Sequence, residues 1–175
     1  MKKHLRENWK YYISPTLLVC LLLAGLWYWR GVGFAHIAAD LVPERVSVQV
    51  MTLSDDGQEL LSAHYDLAAD SAEGMEILDT LYSLTIHRPP TNLLYQILKP
   101  TRSGQMFEDG DYAFAVRVFG EDGGHAALQF NVRTWSCDAI GGDGYLPCSV
   151  EGKQQTGRDF GAQLWAMAEK LDCIG

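Results

Sequence analysis

The sequence predicts an α+β fold: an antiparallel sheet of about five strands packed by two amphipathic helices, preceded by one N-terminal transmembrane helix. Three observations lead there. A long uncharged run stands near the start of the chain. Alternating apolar segments joined by Gly/Asp-rich turns follow it, and two later segments carry apolar residues at helical spacing. No strand–helix–strand repeat appears, so the sheet is antiparallel and the helices cover one of its faces.

Residues 11–29 read YYISPTLLVCLLLAGLWYW and carry no charge between Lys10 and Arg30. Nineteen residues of helix span ~28 Å, close to the hydrocarbon thickness of a bilayer. Pro15 fits a first helical turn after Ser14 as cap. Trp9, Tyr11 and Tyr12 flank one end and Trp27, Tyr28 and Trp29 the other, as two membrane–water interfaces favour. A cleavage site is not evident, because bulky Trp27 to Arg30 follow the apolar run. The segment therefore reads as a retained anchor. Lys2, Lys3, Arg6 and Lys10 precede it, which places the N-terminus in the cytoplasm and the rest outside. The division is 1–10 basic N-terminus, 11–30 anchor, 31–44 stalk loosened by Gly31 and Gly33, and 45–175 extracytoplasmic domain.

Arg45 to Leu53 alternates, with Val46, Val48 and Val50 on one face, and Asp56-Gly57 turns it into a second strand, Glu59 to Leu67. Asp70 to Glu73 makes a capping box for a helix bearing Ile77, Leu78, Leu81 and Leu84. Leu93 to Leu98 is a short apolar run, strand or helical turn. A strand over 111–119 presents Tyr112, Phe114, Val116 and Val118, and His125 to Trp135 pairs back after Gly120–Gly124. Tyr145 to Val150 completes the meander. Thr156 to Asp159 caps a last helix with a stripe of Phe160, Leu164, Trp165, Ala168 and Leu171.

Outside the anchor lie Cys137, Cys148 and Cys173. In an oxidising compartment Cys137 and Cys148 are the preferred disulfide pair, closing a loop of about a dozen residues for ~2–3 kcal/mol; Cys148–Cys173 is the alternative. No CxxC spacing supports zinc or thioredoxin-type chemistry. Cys20 is an apolar filler of the anchor.

The chemical motifs are sparse. His64, His87 and His125 lack HExxH or other ligand spacing, so no metal is expected. The acidic stretches 55–59 and 108–111 do not match an EF-hand loop, and Gly141 to Gly144 lacks the Lys and Ser/Thr of a phosphate-binding loop. No GxSxG elbow is present. The Lys99–Gly110 loop mixes Lys99 and Arg102 with Met106 and Phe107, a combination suited to partner contact. No cofactor is implied.

The whole plan resembles small, uncharacterised membrane-anchored extracytoplasmic domains of Gram-positive bacteria. It does so through its basic start, its anchor (Leu17 to Leu26), its short stalk, and its hairpin, helix, meander and final helix. The resemblance implies a location and no activity.

The expected function is thus a single-pass anchored binding module. It contacts membrane lipid through residues 11–30 and an envelope protein or ligand through the exterior domain. Two alternatives stand beside it: an envelope hydrolase using a histidine and a carboxylate, and an accessory subunit of a membrane complex. The net charge of −8 supports the division. Residues 1–30 hold five Lys/Arg and one Glu, a net +4, while 31–175 hold nine basic and 21 acidic residues, a net −12. Such an exterior excludes nucleic acid as partner.

Overall fold

A computed structural model describes residues 9–54, 57–87, 110–131, 134–138, 146–150 and 152–174. The long helix α1 (Trp9–Trp29) is followed at once by strand β1 (Val32–Gly33) and a single turn of helix, α2 (Phe34–Ile37). Strands β2 (Pro43–Leu53) and β3 (Leu60–Ala68) form the first hairpin. Helix α3 (Ala72–Ser83) leads to β4 (Thr85–His87). Strands β5 (Tyr112–Gly120), β6 (His125–Asn131), β7 (Thr134–Asp138) and β8 (Leu146–Val150) form the meander, and α4 (Lys153–Lys170) follows.

All strands join one antiparallel sheet in the order β1-β4-β8-β7-β6-β5-β2-β3. The α+β class holds, with eight strands among the described residues in place of five. The extra three have distinct origins. Strand β1 comes from the expected stalk, and β4 is a three-residue return after α3. Strand β7 arises because the run 125–135 turns back on itself, pairing Asn131 with Thr134. Two- and three-residue strands are too short to show a period of two, so alternation could not announce them.

Alternation does set the two faces. Val46, Val48 and Val50 lie opposite Val118, Val116 and Phe114, and the last of these lies opposite Phe130. All are buried, and each valine contributes about 1.5–3 kcal/mol by leaving water. Helix α3 lays Ile77, Leu78 and Leu81 on this face, and α4 lays Phe160, Leu164, Met167 and Ala168. Phe114 sits among Phe130, Phe160 and Trp135 at centroid distances of 5.4, 5.2 and 5.6 Å. The two helices are clasped at their surface. Lys170 Nζ donates to Glu73 at 2.9 Å, and Gln163 donates to Glu76 at 3.2 Å. The hydrogen bond from Lys170 holds the Glu73 carboxyl below its usual range, and the same bond raises the Lys170 ammonium.

The cap of α3 is Ser71, one residue past the start of the expected Asp70–Glu73 box; it accepts from the Gly74 N–H at 3.0 Å. Helix α4 departs from expectation. It starts at Lys153, before Thr156, behind Gly152 in the left-handed region (φ 74°) and without a side-chain cap. Likewise Pro15 lies inside α1 rather than in its first turn, because the helix already begins at Trp9.

The expected stalk, 31–44, is part of the folded body. Phe34, Ala38 and Leu41 belong to the core, the Phe34 N–H donates to the Leu84 carbonyl at 3.0 Å, and its ring stacks on Tyr82. Gly31 does not loosen this segment. A Cβ there would lie 2.6 Å from Thr85 Cγ2 and 2.8 Å from His87 Cε1, so glycine is needed for close passage over β4.

No disulfide joins the cysteines. Across β7–β8, Trp135 faces Cys148 and Cys137 faces Leu146, so the expected pair stands two residues out of register. Such diagonal neighbours are about 7–8 Å apart, beyond disulfide reach. Cys173, the alternative partner, lies past the end of α4, and its thiol donates to the Leu171 carbonyl at 3.3 Å.

Candidate functional site

With both longer domain helices on one face, the opposite face of the sheet carries the residues of the other parity. Its rungs follow from the register. Arg45, Phe119 and His125 form one row; Asp66, Ser47, Arg117 and Ala127 form the next. His64, Gln49, Ala115, Gln129 and Ser136 form a third. Small and polar side chains dominate, so the face is a shallow platform and not an apolar seam.

One end of the platform concentrates charge. The Arg45 guanidinium lies 4.4 Å from the centroid of Phe119 and donates to Asp66 at 3.2 Å. The Arg117 guanidinium lies 5.9 Å from the same ring, and the His125 ring is centred 6.3 Å away. Two cations around a half-buried aromatic make a surface for carboxylates and for planar rings. The other two described Lys/Arg side chains of the domain are engaged on the helix side: Arg158 binds Asp111 and Lys170 binds Glu73. The cation–aromatic cluster thus gathers two of the four described Lys/Arg side chains of an acidic domain at one place.

This cluster was not among the sequence candidates. Alternation over 111–119 marks Tyr112, Phe114, Val116 and Val118 as the apolar face and gives Arg117 and Phe119 no role. The available signal was Phe119, an aromatic at the polar parity. Of the residues chosen instead, Lys99, Arg102, Met106 and Phe107 lie outside the described residues, as do Leu93 to Leu98, Asp55, Asp56 and the glycines at 141–144.

The three histidines do not converge. His64 is on β3, His125 on β6 and His87 on β4, each separated from the next by three strand steps, about 14 Å. His64 Nε2 lies 3.4 Å from Ser47 Oγ, but both are on the sheet surface and Asp66 is engaged by Arg45. Among the described residues that is a surface contact without the buried orienting carboxylate of a catalytic triad. Among the described residues no group of three His, Cys, Asp or Glu is arranged to hold a metal ion. In the acidic stretch ending at Asp111, that residue is buried against Arg158, which donates to its Oδ1 at 3.0 and 3.3 Å.

Helix α1 is the second feature outside the core. Its side chains are described for residues 15–26, and none of them enters the hydrophobic core. Among the described residues no helix is long and apolar enough to cross a membrane.

Comparison with protein-family models, with curated proteins and with solved structures gives no match.

Proposed function

We propose that this chain is a single-pass membrane-anchored binding module, with α1 as anchor, the N-terminus cytoplasmic and the sheet domain extracytoplasmic. One observation carries the reading. Leu17, Leu18, Val19, Leu21, Leu22, Leu23 and Leu26 are 52–70% exposed. At 100° per residue these positions cover about 240° of the helix surface, and Cys20 and Ala24 fall in the remaining arc. A helix apolar on every side is stabilised in a large core or in a bilayer, and this core takes none of these side chains. The backbone of α1, Trp9–Trp29, is ~31 Å long, about the thickness of the hydrocarbon core. Lys2, Lys3, Arg6 and Lys10 before it, with no basic residue between Arg30 and Arg45 after it, support this orientation.

The contact surface is the sheet face opposite the helices, centred on Arg45, Arg117 and Phe119. It suits an envelope protein or ligand that presents carboxylates beside an aromatic group.

Alkaline carbonate extraction of membranes holding the full chain tests the anchor. The wild-type chain should stay in the pellet. A Leu21→Arg, Leu22→Arg variant should move to the supernatant, because each arginine costs about 2.5–3.5 kcal/mol at a span centre. Release of the wild-type chain would overturn the reading. For the contact surface, Arg117→Glu should abolish crosslinking to envelope partners with the melting temperature unchanged.

A further inference from the structure

We infer that the β1–β4 edge of the sheet is seated at the phospholipid headgroup surface and that the β3 edge is displayed away from it. This rests on the reading of α1 as the anchor. Only Arg30 and Gly31 separate the end of α1 at Trp29 from the start of β1 at Val32. Three residue steps reach at most about 11 Å. The helix has no surplus to lift the domain, since its ~31 Å matches the ~30 Å of the hydrocarbon core.

The junction is also tight. Gly31 passes so closely over Thr85 and His87 that a Cβ would collide with both. Val32 pairs with Ile86, Gly33 pairs with Thr85, and Phe34 is fully buried two residues after the start of β1. From the end of the helix to the core there are four residues and no slack.

Charge agrees with this seating. Arg30 is exposed at the end of α1 that would meet the headgroups, and the exposed carboxylate of the following segment, Asp40, lies ten residues further on. The exposed carboxylates Glu76 and Asp79 on α3 and Asp159 and Glu169 on α4 lie on the helix layer, which anionic lipid would repel. Strand β3 lies seven strand steps from β1, up to about 34 Å away. It carries exposed Ser62, His64 and Asp66.

The test uses the full chain in vesicles of phosphatidylcholine and phosphatidylglycerol with a nitroxide on the headgroup. A fluorescent amino acid replaces His36 in one variant and Ser62 in another. Flotation first reports whether the chain is anchored; a chain that does not float refutes the anchor reading itself. For floating chains, fluorescence should be quenched at position 36 and unquenched at 62. Inserting about ten Gly/Ser residues between Arg30 and Gly31, ~17 Å of flexible reach, should abolish the quenching at 36 while flotation persists. Equal quenching at both positions, or quenching at 36 that survives the insertion, would overturn the inference.

Discussion

Tyr65, on strand β3, donates its phenolic proton to the carbonyl oxygen of Leu164 in helix α4 at 2.9 Å, tying the distal edge of the sheet to the last helix. Burial, and secondarily the neighbouring Cys173, push the phenol above its ordinary value. A group whose pKa is raised by folding contributes stability that is complete below its unfolded value, about 10 for tyrosine, and lost as pH rises through the folded value. Tyr65→Phe should lower stability near neutral pH by about 1 kcal/mol. It should also flatten the alkaline decline above about pH 10. Denaturant midpoints across pH would show both effects.

Helix α4 reaches the sheet because Gly157 and Gly161 carry no side chain. A Cβ on Gly161 would overlap that of Tyr112, and one on Gly157 would meet the ring of Phe130. Gly161→Ala must push the helix off the sheet, at a cost of about 1–3 kcal/mol. Gly33→Ala, where a Cβ would meet nothing within 4 Å, should stay within about 0.5 kcal/mol of wild type. Thermal melts of the two variants provide the comparison.

The Asp111 side chain is 5% exposed and its partner Arg158 is 42% exposed. Removing the arginine takes the ion-pair partner from a buried carboxylate, which costs about 3–5 kcal/mol for a fully buried pair. Solvent around Arg158 screens the pair, so Arg158→Ala should cost about 1–3 kcal/mol. Asp111→Ala, which also removes the buried charge, should cost less. Urea unfolding of both variants would establish the order.

Because Phe34 and Leu41 lie in the core, the folded unit begins near Gly31. A 31–175 fragment should give a cooperative melt. A 45–175 fragment, lacking β1 and both side chains, should melt much lower or not cooperatively, since deleting one buried Phe side chain alone costs about 3–5 kcal/mol. Circular dichroism on the two fragments would decide.

Cys137 and Cys148 sit two residues out of register, so dithiothreitol should leave the melting temperature of the domain unchanged. A bridge closing that loop would add about 3 kcal/mol, and its reduction would lower the midpoint by several degrees.

Long alternating runs and amphipathic stripes were enough to predict β2, β3, β5, the capped helix α3 and the apolar stripe of α4. Their periodicity is written locally, in the residues that form them. The uncharged run of α1 and the charge contrast between +4 and −12 are equally local. Tertiary structure decided the rest. Strands β1 and β4 exist only because each borrows hydrogen bonds from a neighbour distant in sequence. The segment around Phe34 becomes core instead of stalk because α3 and Leu84 are there to receive it. The cysteines miss each other because register is set by the whole β7–β8 ladder. The Arg45–Phe119–Arg117 cluster comes from two strands some seventy residues apart. Local sequence determines the period and polarity of an element; which residues share a rung depends on pairing between distant strands, and pairing is a property of the assembled sheet.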